Sequence, residues 1–117
     1  MDNAEKEIVM YVRTAYCPLV ALARDLLKRY GLAYREINID DDPLFAARVK
    51  EWTHHYSVPT LLIANPGEEV PYEAFLPRPT DQTIKGYDRG PMITEPNNQA
   101  LEDWLHKHGF LAKPYRR

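Results

Sequence analysis

Ile8-Val9-Met10-Tyr11-Val12, then Arg13-Thr14-Ala15-Tyr16, then Cys17-Pro18-Leu19-Val20: this stretch decides the fold. Its first five residues form an apolar, β-branched run of the kind that makes a buried strand. Pro18 suits the first turn of a helix, where its missing N–H has no partner to lose. Apolar residues follow at Leu19, Val20, Leu22, Ala23, Leu26, Leu27 and Tyr30, one face of a helix, and Gly31 supplies a left-handed stop. A strand therefore runs into a helix, and the chain's one cysteine stands at the junction.

Further along, Tyr34 to Ile39 alternates, with Tyr34, Glu36 and Asn38 on one face and Arg35, Ile37 and Ile39 on the other, as a second strand would. Asp42 is a good N-cap and Pro43 a good first helical residue, while Phe45, Val49 and Trp52 make an inward stripe; the spacing predicts a helix from Pro43 to His54. After Ser57-Val58-Pro59 comes Thr60-Leu61-Leu62-Ile63-Ala64, an apolar run of strand length. Strands joined by helices of this length pair in parallel with right-handed crossovers, which predicts an α/β sheet with helices packed on it.

Asn65 to Met92 differs in kind. It holds five of the ten prolines and three of the five glycines and is far longer than an ordinary connection, so it reads as an insertion or a long decorated hairpin. Part of it is expected to pack near Cys17 and narrow access. The last helix is expected to begin near Thr94-Glu95-Pro96-Asn97 and to run through Leu101, Trp104, Leu105 and His108 to Gly109. Residues 110–117 form a tail whose basic end, Lys113 to Arg117, is expected to fray.

At 117 residues the chain fits one domain, 1–117, with one core. No run of about 18 apolar residues is available to span a bilayer, and the N-terminus lacks the basic start and apolar stretch of a secretory signal, so a cytoplasmic protein with no membrane partner is expected. Fifteen basic against seventeen acidic residues, with no long basic run, lack the footprint of a phosphate-backbone binder; no nucleic acid is expected. A lone cysteine cannot close an intramolecular disulfide or build a multi-cysteine zinc site, and it fits a reducing compartment. Asp40-Asp41-Asp42 reads as a solvated helix cap, and His54-His55 and His106/His108 lack a third ligand, so no metal is expected.

The order of elements and the motifs on them resemble the glutaredoxin family. The likeness rests on Tyr11 to Pro18 (YVRTAYCP), on the first helix ending in Leu26-Leu27 and Gly31, on Tyr34 to Asp40 (YREINID), and on Ser57-Val58-Pro59 where the family has Thr-Val-Pro with a cis proline. It covers about three quarters of the chain, all but the insertion and the tail. Only one strand precedes the cysteine, which favours glutaredoxin over thioredoxin, and Ile93-Thr94-Glu95-Pro96 is similar to mycoredoxin-type members. The resemblance implies a thioredoxin-like fold: a central four-stranded mixed sheet, β-α-β-α-β-β-α, flanked by three helices, with the insertion before the last helix.

The departures from the family are specific. Its dithiol Cys-Pro-Tyr-Cys reads Cys17-Pro18-Leu19-Val20 here, a monothiol variant without the resolving cysteine, and the Cys-Gly-Phe-Ser of iron–sulfur members is absent too. Three residues before the cysteine, where the family has a basic residue, stands Thr14, with Arg13 one place off; three before the proline stands Tyr56. Gly86-Tyr87-Asp88 resembles the family's Gly-Gly-x-Asp turn, whose aspartate receives the amino group of glutathione. Either that turn is kept and the insertion lies before it, or the likeness is chance and Ile93-Thr94 leads into the helix.

A thiolate attacks a disulfide, and the N-terminus of a helix, with its unpaired N–H groups and positive dipole end, favours the thiolate. Cys17 is thus the candidate nucleophile, with Arg13 as a cationic neighbour. The resemblance implies that Arg13, Tyr16, Pro18, Leu19, Val58, Pro59 and Asp88 bind substrate or glutathione, with the backbone of Val58 pairing with the peptide of the small thiol. The implied activity is thiol–disulfide exchange on mixed disulfides. Glutathione or another low-molecular-weight thiol would be co-substrate, a thiolated protein or protein disulfide the partner, and a monomer the working unit. Two other readings fit the same residues: a non-catalytic binding or adaptor module that uses the Pro59 groove and the insertion, and a glutathione-bridged iron–sulfur carrier that needs one cysteine per chain.

Overall fold

The structure, a computed structural model, describes residues 6–112; the basic end of the tail lies outside the described residues. Seven elements follow in order: β1 (Glu7–Val12), α1 (Pro18–Arg29), β2 (Arg35–Asn38), α2 (Pro43–Thr53), β3 (Thr60–Ala64), β4 (Met92–Thr94) and α3 (Asn98–Lys107). They build a four-stranded mixed sheet in the order β2-β1-β3-β4. β1 pairs in parallel with β2, Val9 opposite Arg35 and Val12 opposite Asn38. It pairs antiparallel with β3, Tyr11 opposite Thr60. This register brings the start of β3, and the Val58–Pro59 bond just ahead of it, to the same end of the sheet as the exit from β1 toward Cys17.

β1 reads as unbroken apolar sequence because it is covered on both faces: Ile8 to Val12 are at most 2% exposed. Tyr11 points toward α2, meeting Trp52 edge-on at 5.3 Å and Phe45 at 6.5 Å between ring centroids. α1 and α3 pack against one another, and the Tyr30 hydroxyl donates to Glu102 between them. Each helix is bounded by local chemistry. Pro18 opens α1, and Gly31, at φ +66°, follows its C-cap Tyr30. Asp42 caps α2 by accepting from Leu44 N–H at 2.9 Å, and Asn97 caps α3 by accepting from Ala100 N–H at 2.8 Å.

One expectation changes here. Ile93-Thr94 is not the entry to the last helix but belongs to β4, the fourth strand of the expected mixed sheet, paired with β3 through Leu61 opposite Ile93 and Thr60 opposite Thr94. Met92 also belongs to β4, so the long connection covers residues 65–91 and joins two antiparallel strands ahead of α3, as an extended hairpin does.

The connection has little regular structure and is held by tertiary contacts. At its start, Tyr72 N–H donates to Ile63 O at 2.9 Å, and Arg48 of α2 bonds both the Tyr11 hydroxyl and Glu69. Near its end Arg89, only 2% exposed, donates through Nε to Leu76 O and through a terminal nitrogen to Trp52 O, both at 2.8 Å, and lies over the ring of Phe75. Trp52 O belongs to the last turn of α2, the negative end of a helix dipole, which suits a cation. Among the described residues no buried side-chain nitrogen or oxygen lacks a hydrogen-bond partner.

Candidate functional site

Cys17 is the N-cap of α1, in extended conformation (φ −137°, ψ 118°). No side chain caps this helix end and its first turn holds no acidic residue, so the amides there meet no competing carboxylate. The thiol is half-buried. Its Sγ lies 3.7 Å from the carbonyl oxygen of Val58, 41 residues later in the chain and just ahead of a cis Val58–Pro59 bond. Val58 and Pro59 are themselves buried. The loop is fixed from behind: Thr60 Oγ1 donates to Ser57 O at 2.9 Å and lies 3.1 Å from Thr94 Oγ1 on the neighbouring strand.

On the β2 side of Cys17 lies a hollow of about 340 Å³, lined by Arg13, Thr14, Tyr16, Arg24 and Asn38 among others. Arg13, Pro18 and Tyr16 are exposed, Tyr16 at 79%, and Leu19 is half-buried. Thr14 has a role in tying the loop down: its N–H donates to Asp40 at 2.8 Å and its hydroxyl accepts from Asn38 at 3.1 Å. Tyr56, three residues before Pro59, is half-exposed, and the Lys50 ammonium of α2 stands 5.0 Å from its ring centroid.

The structure thus brings Cys17, Val58 and Pro59 together and gathers Arg13 and Tyr16 around the thiol, with Pro18 and Leu19 opening the helix behind it. Asp88 is not in this group. It precedes β4, and its carboxylate is engaged by Lys107 Nζ at the end of α3 and by Gly90 N–H, both at 2.8 Å. None of the residues lining this hollow comes from the connection between β3 and β4. Sequence reasoning missed Asn38, Arg24 and the Thr60–Thr94 pair. For Asn38 a signal existed, since strand alternation sets it on the face away from Ile37 and Ile39.

Arg24 grips Glu36 with two hydrogen bonds, at 2.7 and 2.9 Å. This grip holds the Glu36 carboxyl below its ordinary range, while partial burial works the other way. A depressed carboxyl stabilises the fold above its unfolded pKa, and the contribution is lost as pH falls through the folded value. Arg24→Met is therefore expected to lower the urea midpoint at pH 7, and the two proteins should converge as pH drops below about 4. Parallel curves across that range would show that the pair contributes nothing.

Val20, 3% exposed, stands three residues after Cys17 on the same face of α1. Val20→Cys is expected to fold unchanged, to cost no more than about 1 to 1.5 kcal/mol, and to lose both thiols on mild oxidation without dimerising. Thiol titration with a mass measurement checks this, and a folded variant that never closes the bridge would contradict the position given to Cys17.

The family model for glutaredoxin matches residues 8–66, from β1 through β3 and just beyond. No curated protein matches the chain. Among solved structures, the thioredoxin of Malassezia sympodialis aligns over 89% of this chain and 75% of its own, with a TM-score of 0.51 at 11% identity. The thioredoxin-like protein BC3987 aligns over 53% of this chain and 89% of its own, with a TM-score of 0.42 at 23% identity. The oxidised thioredoxin from Plasmodium falciparum aligns over 89% and 81%, with a TM-score of 0.45 at 16% identity. The Malassezia alignment supports a thioredoxin-like fold and, at that identity, nothing further.

Proposed function

The chain belongs to the glutaredoxin family, and on that premise we propose that it is a monothiol thiol–disulfide oxidoreductase acting on mixed disulfides between a protein and a low-molecular-weight thiol such as glutathione. The observation that carries the reading is Cys17 Sγ at the N-terminus of α1, 3.7 Å from the Val58 carbonyl beside the cis proline.

The Cys17 thiolate attacks the small-thiol sulfur of the mixed disulfide. A new S–S bond joins Cys17 to the small thiol, the old one breaks, and the protein sulfur leaves as a thiolate that takes a proton from water. A second small thiolate then attacks the sulfur attached to Cys17, releasing the small-molecule disulfide and restoring the Cys17 thiolate. The net exchange converts one mixed disulfide and one small thiol into a protein thiol and a small disulfide. No resolving cysteine enters the cycle.

The main chain of Val58 pairs with the peptide backbone of the small thiol, as an added strand pairs with an edge. Arg13 faces its carboxylates, and Tyr16, Pro18 and Leu19 meet the departing protein. One chain suffices, and a monomer in the cytoplasm is the setting we propose. Among the described residues no helix is long and apolar enough to cross a membrane, and no group of three His, Cys, Asp or Glu side chains is placed to hold a metal ion.

The test is exposure to oxidised glutathione followed by intact mass, with turnover of a glutathionylated peptide in excess reduced glutathione. One adduct on Cys17 with turnover supports the proposal. An adduct without turnover would favour an adaptor, a reading to which the 79% exposed Tyr16 beside the thiol lends some weight. Visible absorption after anaerobic purification would favour a cluster carrier. Neither adduct nor turnover would overturn the proposal.

A further inference from the structure

The connection between β3 and β4 returns to the Pro59 end of the sheet at one place, Lys85-Gly86. Lys85 forms a parallel bridge to Thr94, and Gly86 N–H donates to Thr94 O at 2.7 Å. Lys85 Nζ also lies 3.4 Å from the Glu95 carboxylate. Glu95 has a left-handed backbone (φ +49°), unusual for a residue with a side chain, and its N–H donates to Pro59 O at 2.7 Å. A continuous set of hydrogen bonds thus runs from the connection through the end of β4 to the loop that holds Val58 against the thiol.

β4 has three residues and would be a weak edge by itself. The segment 84–89 is secured at both ends, by Thr94 at one and by Arg89 N–H on Met92 O, with the buried guanidinium behind it, at the other. Gly86 is at φ +71°, where a β-branched residue is strongly disfavoured, and an added Cβ would stand 3.5 Å from Ala100 Cβ. The backbone geometry at Gly86 is what lets the strap reach Thr94.

We infer that residues 84–86 are a positioning strap: through Thr94 and Glu95 they fix the Pro59 loop, and so set how tightly the backbone of Val58 receives a substrate. This rests on the functional reading above. The bonds that anchor the strap run to Thr94 and Glu95 rather than to Cys17, so binding and intrinsic thiol reactivity should separate when it is loosened.

Gly86→Val tests this against Gly86→Asn, since asparagine tolerates a left-handed backbone. For Gly86→Val we expect the Glu95 amide to exchange with solvent at least about 10-fold faster. KM for a glutathionylated peptide should rise about 5-fold or more with kcat within about 2-fold, and alkylation of Cys17 by iodoacetamide should stay within about 2-fold. Gly86→Asn should behave as the natural protein. Should Gly86→Val not fold, Lys85→Ala, at an exposed side chain, carries the same test with smaller shifts in the same direction. Unchanged Glu95 exchange overturns the strap. Faster exchange with unchanged KM overturns its role in binding, as do equal losses in the valine and asparagine variants. If the natural protein turns over nothing, the functional reading fails, and the exchange measurement still decides whether the strap holds the loop.

Discussion

Replacing Cys17 by serine is expected to abolish exchange on a mixed disulfide, by at least about a thousandfold in kcat/KM, with the fold unchanged. A hydroxyl of nearly the same size occupies the N-cap as well as a thiol does, and serine is a preferred N-cap, so stability should hold or rise slightly. What is lost is the chemistry: a serine oxygen is not ionised near neutral pH, and with no base beside it, it forms no bond to sulfur. The single cysteine leaves no second thiol to substitute. Steady-state turnover of a glutathionylated peptide, with urea unfolding as control, checks the result. Turnover within tenfold of the natural protein would remove Cys17 from the mechanism.

The largest effect on stability is expected at Arg89. Its guanidinium is buried with carbonyl oxygens rather than a carboxylate as partners, and burial, with Arg78 a lesser influence, draws its pKa below the ordinary range. Its geometry is nonetheless good, with two bonds of 2.8 Å and a ring beneath. Arg89→Ala would leave Trp52 O and Leu76 O without a donor and open a void between the connection and α2. A loss of about 3 to 4 kcal/mol is expected, a large share of the roughly 5 to 15 kcal/mol that holds a domain together. Arg89→Met fills the void but supplies no donor, and should lose about 2 kcal/mol. Urea midpoints for the two variants separate the packing and hydrogen-bonding parts; a loss below about 1 kcal/mol for alanine would mean that the connection does not depend on this residue.

What was legible in the sequence is what is decided locally. Cys17-Pro18 at a helix start, Asp42-Pro43 at the next, and the unbroken apolar runs of β1 and β3 each carry their own cause within a few residues, and each element lies within a residue or two of its expected bounds. The resemblance implied a fourth strand, but its place was not legible, because Met92-Ile93-Thr94 is too short for a pattern and becomes a strand through pairing with β3. The anchoring of the connection was not legible for a similar reason. An arginine reads as a surface residue, and nothing near Arg89 in sequence announces that a helix end 37 residues earlier will accept its hydrogen bond. Asp88 shows the weakness of a three-residue likeness, which says nothing of the partners that hold the carboxylate, here Lys107 at the end of α3 and the Gly90 N–H.

The antiparallel register of β3 against β1 also has a consequence in time. The ribosome delivers Cys17 and α1 well before Val58, which arrives 41 residues later and takes its place only as β3 docks beside β1. On the function proposed above, a nascent or truncated chain ending short of that point would carry the nucleophile but no edge to choose what it meets. Reactivity would then precede selectivity along this polypeptide, and completion of the central sheet would join the two.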